Sequence, residues 1–308
     1  MSSVAKPSAN RRRRSPAGIS TALRSRLRFM EAVLMWEGEV YRQRVASAFG
    51  VTENHLSKDI DFYRATHPNN LDYDNKRKRY LPRAGFKPHY STGAPEEYLG
   101  LLRTHCDARD PTMPELPGPS SAATVPLHSG GVDSKTLQAV TRAVAAGTGL
   151  EVSYQSMDRP EPAITEIWPH DLVFSGTRWH ARAFQAKSDG TRRFGDFVLA
   201  RLVVRSTGLP PRTEAAVQHD AEWNSLVDVA VQPAPHLSAS QQEAIAKEYG
   251  MSGSAGRRRW VCRLRRCLMP YFLVLHRLDA RKSDAKKHRR YIELVDPTVL
   301  ETYGFPAE

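Results

Sequence analysis

Two groups of residues have types and spacings that could do chemistry. Residues 167–182 read Ile-Trp-Pro-His-Asp-Leu-Val-Phe-Ser-Gly-Thr-Arg-Trp-His-Ala-Arg. Apolar and polar residues alternate on both sides of Ser175-Gly176, which predicts a β-hairpin. Leu172, Phe174 and Trp179 can pack, while His170, His180 and Arg182 are left as polar groups that could line an active site or a sensor pocket. The second group joins Thr52, Asn54, His55, Ser57 and Lys58 to the run Lys76, Arg77, Lys78 and Arg79. Asn pairs bidentately with adenine, and Lys reaches guanine or phosphate, so this set suits a nucleic acid.

A third stretch, Ser129-Gly130-Gly131-Val132-Asp133-Ser134, matches the SGGxDS phosphate loop of PP-loop ATP pyrophosphatases. Backbone N–H groups at a helix start would cradle phosphates there. The motif needs a buried strand before it and βαβ units after it. The Thr-Val-Pro-Leu-His that precedes it is interrupted by proline, and the segments after it are spaced as hairpins. The simpler reading is a Gly-Gly turn, with Asp133 capping the next helix.

Charge supports the nucleic-acid reading. The formal net charge is +12 over 308 residues. Residues 1–90 hold 18 Lys+Arg against 8 Asp+Glu, a net of 18 − 8 = +10. Discounting Arg11 to Arg14 still leaves +6, so a polyanion is the expected partner of this region. No apolar run approaches the ~18–20 residues of a membrane span, and the Arg-rich start lacks the apolar core of a secretory signal. Cys106, Cys262 and Cys267 form no CxxC, which points to reduced thiols in a cytoplasmic protein with neither a disulfide nor a zinc site.

The elements that must position these residues follow from periodicity. Residues 1–18 are too polar to fold and form a basic tail. Leu23, Leu27, Met30 and Leu34 make the apolar stripe of a helix ending near residues 36–38. A second helix over 41–49 stops at Gly50. Thr52 then caps a third helix, 53–65, packed through Leu56, Ile60 and Tyr63. Residues 70–81 predict two short strands around the four-cation turn. A helix-turn-helix followed by a basic hairpin is a winged helix.

A short helix over 94–105 leads into a Pro/Ser/Gly linker at 107–126, and another helix covers 133–146. Strands are expected at 150–157, 163–174, 179–187, 193–199 and 202–205, a spacing that suggests a small SH3-like barrel. Beyond Pro210-Pro211, strands at 226–231, 258–264 and 291–295 alternate with helices at 238–249 and 262–278, which implies a small α/β sandwich. The whole is an α+β fold. Its expected division is a tail (1–18), a winged helix-turn-helix (19–90), a connecting helix and linker (91–132), a central β domain (133–207) and a C-terminal domain (208–308).

This order resembles the WYL-domain bacterial transcription regulators with a C-terminal WCX domain, and in particular the repressors of BREX- and CBASS-type phage-defence loci. The resemblance covers nearly all of residues 23–297. Its most specific segments are 152–157 (Val-Ser-Tyr-Gln-Ser-Met), 167–174, 178–184 and 194–201 (Phe-Gly-Asp-Phe-Val-Leu-Ala-Arg). Of the name-giving Trp-Tyr-Leu only Trp179 is kept. The resemblance implies a homodimeric regulator, with no cofactor and no catalysis, whose winged helices read a palindromic operator in double-stranded DNA. It also implies a nucleotide or nucleic-acid effector at a pocket formed by Ser153, Tyr154, His170, Trp179, His180, Arg182 and Arg201. One departure is Gly195, where the family often has Arg; Arg192 or Arg193 could substitute. Two other classes remain to be weighed, a PP-loop-like ATP-using enzyme and an RNA- or single-strand-binding module.

Overall fold

A computed structural model describes residues 19–107, 125, 131–187, 189–279 and 290–303. The expected basic tail, most of the linker, Ser129 and Gly130, and the Cys106 side chain lie outside the described residues. The chain divides into two compact units, residues 1–126 and 127–308.

In the first unit, helices α1 (Thr21–Glu37), α2 (Arg42–Ala48) and α3 (Glu53–Thr66) precede an antiparallel ribbon of β1 (Leu71–Asp74) and β2 (Arg79–Pro82), then α4 (Pro95–Asp107). The helix starts are chemically specified: Ser20 Oγ accepts the Leu23 N–H and Thr52 Oγ1 accepts the His55 N–H, both at 3.2 Å. Leu27, Met30, Leu34, Leu56, Ile60 and Tyr63 interlock in one core beneath the ribbon. The Glu31 carboxylate, fully buried, accepts from the Tyr63 hydroxyl and from the backbone N–H groups of His89, Tyr90 and Ser91 at 2.6–2.9 Å. One acidic side chain thereby ties the segment after the ribbon back onto α1.

The second unit opens with α5 (Ser134–Ala146), whose N-terminus Asp133 caps through the Thr136 N–H. Five strands follow: β3 (Gly149–Tyr154), β4 (Ala163–Phe174), β5 (Trp179–Ala186), β6 (Arg192–Val198) and β7 (Leu202–Leu209). All pair antiparallel in the order β6-β5-β4-β3-β7. The expected barrel is therefore corrected to an open sheet, because β7 turns back onto β3 and leaves β6 as the opposite edge. Phosphate loops of the PP type need parallel βαβ crossovers, and this antiparallel meander offers none. One face of the sheet packs on α5 through Leu150, Val152, Ile167, Ala181, Ala183 and Phe197. The other face, at Trp168 and Phe184, is covered by Ala215 in the connecting segment.

After α6 (Ala221–Asn224) come β8 (Leu226–Pro233), α7 (Ala239–Glu248), β9 (Trp260–Arg265), α8 (Met269–Leu275), β10 (Ile292–Leu294) and α9 (Thr298–Thr302). The sheet order is β10-β8-β9, with Val229, Val231, Ile245, Phe272 and Leu273 in its core. The helix expected from residue 262 begins only at Met269. Leu264 belongs to β9, and Pro270, which has no N–H to give, is tolerated in the first helical turn. None of the described helices is long and apolar enough to cross a membrane.

Candidate nucleic-acid interface and buried polar cluster

On α3 the inner side chains are Leu56, Asp59, Ile60 and Tyr63, which leaves Asn54, His55 and Lys58 exposed. Asn54 and Lys58 are one turn apart on the same outer face. Ser57 is less available: its hydroxyl donates to the Glu53 carbonyl at 2.9 Å and accepts from Arg42 at 3.1 Å. Thr52, itself exposed, holds the helix start. His55 leans on a buried pair behind it. Arg26 Nε donates to Asp59 Oδ2 at 2.7 Å, and Arg26 Nη2 lies 3.0 Å from His55 Nε2.

The β1–β2 turn is shaped by Asp74, whose carboxylate accepts the N–H groups of Lys76 and Arg77 at 2.9 and 3.0 Å. The four cations are not equivalent. Arg77 pairs with Glu39 at 2.6 Å, and Arg79 approaches the same carboxylate at 3.6 Å while stacking over Tyr41. Lys76 and Lys78 are exposed without a partner among the described residues. Glu39, Arg42 and Arg26 carry no sequence signal of this role. Their partners lie 38, 15 and 29 or more positions away in the chain, so only the fold brings them together.

In the second unit the pocket candidates are distributed over both sheet faces. Arg182, His180 and His170 lie on the face away from α5, beneath the segment carrying Asp220. Arg182, 5% exposed, forms a two-pronged pair with Asp220, Nε to Oδ2 at 2.7 Å and Nη2 to Oδ1 at 2.9 Å, and reaches Asp196 at 3.2 Å. His170 sits at a register shift in β4. Its Nδ1 meets Asp171 at 2.9 Å and its Nε2 meets Asp220 at 3.1 Å. Trp223 N–H adds a further bond to Asp220 at 3.1 Å, and the Tyr271 hydroxyl of α8 donates to Asp196 at 3.0 Å.

Burial pushes the Asp220 carboxyl up, but the Arg182 fork, the Trp223 N–H and His170 pull it further down, so it stays below the ordinary carboxylate value. Burial alone lowers Arg182, yet the bonds to Asp220 outweigh it and raise the guanidinium further. His180 is 4% exposed beside the Tyr271 ring, and burial holds its imidazole below the ordinary value.

The remaining candidates stand apart. Strand alternation puts Ser153 and Tyr154 on opposite faces, and the Tyr154 ring meets Phe197 edge-on at 5.1 Å within the α5-side core. Trp179, expected as a core anchor, is half exposed and stacks at a tilt on the exposed Phe174, ring centres 5.1 Å apart. Arg201 lies in a short turn between β6 and β7, its side chain unpaired among the described residues. Gly195 pairs with Ala183, so a side chain there would project on the α5 face, away from Arg182. The missing arginine therefore does not deplete the Arg182 side. Arg192 is engaged by Glu214 at 2.7 Å.

Comparison with known proteins matches these parts in the same order. Residues 22–104 match the BrxR transcriptional regulator winged helix-turn-helix domain, residues 135–196 the WYL domain, and residues 226–300 the BrxR transcriptional regulator C-terminal dimerization domain. The DNA-binding transcriptional repressor CapW of Pseudomonas aeruginosa is 31% identical over 262 residues, 85% of either chain. CapW of Escherichia coli (strain KTE188) is 30% identical over 227 residues, 73% of this chain and 74% of that one. CapW of Stenotrophomonas maltophilia is 30% identical over 227 residues, 73% and 75% of the two chains. With a winged helix, a WYL domain and a dimerization domain in this order, the chain belongs to the family of CapW DNA-binding transcriptional repressors.

Proposed function

We propose that this protein is a cytoplasmic homodimeric repressor that reads a palindromic operator in double-stranded DNA and governs an antiphage defence operon. In this reading residues 19–90 read the operator, residues 133–207 sense an effector and residues 208–308 join two copies. The observation that carries it is the combination of Asn54 and Lys58, exposed on α3, with Lys76 and Lys78 of the following turn, which have no partner among the described residues. One group can reach base edges and the other phosphates. A band-shift series on the promoter upstream of its own operon tests this. Lys58→Ala, and separately removal of the charges at Lys76 to Arg79, should weaken binding, and the second should flatten the salt dependence. Binding that is unchanged in both would rule out the winged helix as the reader.

The effector reading, a nucleotide or nucleic-acid fragment bound but not transformed, draws on the arginine and histidine set around β5. An anion reaching Arg182 there competes with Asp220, so its binding would loosen the segment that leads into the dimerization domain. Coupling of this kind shifts a population between two dimer states. An RNA- or single-strand-binding role predicts that the full chain prefers single strands over duplex, and direct titration of both separates the two. The ATP-using alternative has no parallel βαβ frame in support, and Asp133 acts as a helix cap.

A further inference from the structure

His55, exposed on α3, is held from behind by a buried residue of α1. Arg26, on α1, is 7% exposed, and Asp59, which accepts from its Nε, is equally buried. The Nη2 of the same guanidinium lies 3.0 Å from His55 Nε2. A guanidinium carries N–H donors only, so this contact is a hydrogen bond only when Nε2 holds a lone pair. An Nε2–H would set donor against donor. It would also have no acceptor in place of the guanidinium, because Asp59 Oδ2 is 4.0 Å away and already bound. The ring proton therefore belongs on Nδ1. That nitrogen has no partner among the described residues, on a side chain that is 54% exposed in the third position of α3.

We propose that Arg26 is a positioning residue that locks His55 in the Nδ1–H tautomer, so that the exposed edge of its ring offers the major groove a donor and no acceptor. Free histidine favours the opposite tautomer, so the lock reverses the default. A donor at this place fits the acceptor edges of guanine (N7, O6), adenine (N7) or thymine (O4) and opposes the cytosine amino group. His55 is then a specificity-determining residue rather than a phosphate contact. The inference rests on the reading of α3 as the DNA-reading helix.

Magnetic resonance on the full chain with isotope-labelled histidine tests the lock directly. The ring nitrogen shifts of His55, assigned by their loss in His55→Gln, should report a protonated Nδ1 and a bare Nε2. In Arg26→Met/Asp59→Asn, which removes the guanidinium without stranding a buried carboxylate, the signature should revert towards Nε2–H. Selection from a random duplex library supplies the functional arm. The wild-type chain should discriminate at the His55-contacted base by about fivefold or more, the lower end for a good base contact. The double variant should lose that discrimination while its salt slope is kept. An Nε2–H signature in the wild-type chain, or discrimination that survives in the double variant, overturns the inference. Failure of the wild-type chain to select any duplex overturns the DNA reading of α3 instead, so the two failures are told apart.

Discussion

Within the β1–β2 turn, four neighbouring cations differ in what they can still do. Glu39 already neutralises Arg77 and approaches Arg79, whereas Lys76 and Lys78 face solvent with no carboxylate partner among the described residues. Each phosphate contact removed should lower the salt slope of binding by about 0.9. Lys76→Ala/Lys78→Ala should therefore lower the slope by roughly 2, and Arg77→Ala/Arg79→Ala by less. Glu39→Gln, which frees both arginines, should tighten binding at low salt. Equal slopes in the two double variants would show that the exposed pair with Glu39 opens on DNA and that the cations act alike. The sequence displays four equal charges here; the difference between them comes from a glutamate that only folding brings near.

At the scale of elements, the Asp220 segment is held to the WYL sheet by the two-pronged Arg182 pair and by His170. Removing one partner of a buried pair costs about 3–5 kcal/mol because the other charge is left without compensation. Asp220→Ala should cost that much in denaturant unfolding of the second unit, and Asp220→Asn distinctly less. Because the Asp220 carboxyl is held below its ordinary value of 3.8, its contribution is present above that value and is lost as pH falls through the lowered one. A stability loss in Asp220→Ala that stays constant down to the acid limit would contradict the pairing. Much of this architecture was legible beforehand. Alternation gave all five strands of the sheet, Thr52 and Asp133 announced their helices, and the basic hairpin after α3 marked the wing. The rest depended on long-range pairing. A one-residue shift at His170 breaks the alternation, β7 returning to β3 opens the expected barrel, and the partner that occupies Arg182 sits 38 residues further along the chain. The helix expected from residue 262 failed for a local reason, since an inward-facing Leu264 fits the strand period as well as the helical one.

At the scale of the molecule, one chain carries a match to a winged helix-turn-helix domain and a match to a dimerization domain. One winged helix covers only a half-site, so a dimer of this protein should read two halves related by symmetry. It should also cover both at once, with a cost to binding when their spacing is altered. Footprinting the full chain on the promoter upstream of its operon tests this central claim most directly. One protected palindrome is expected, its half-sites centred about one helical turn, roughly 10 base pairs, or a multiple of it apart. A single unpaired half-site, or no protected sequence at all, would contradict it.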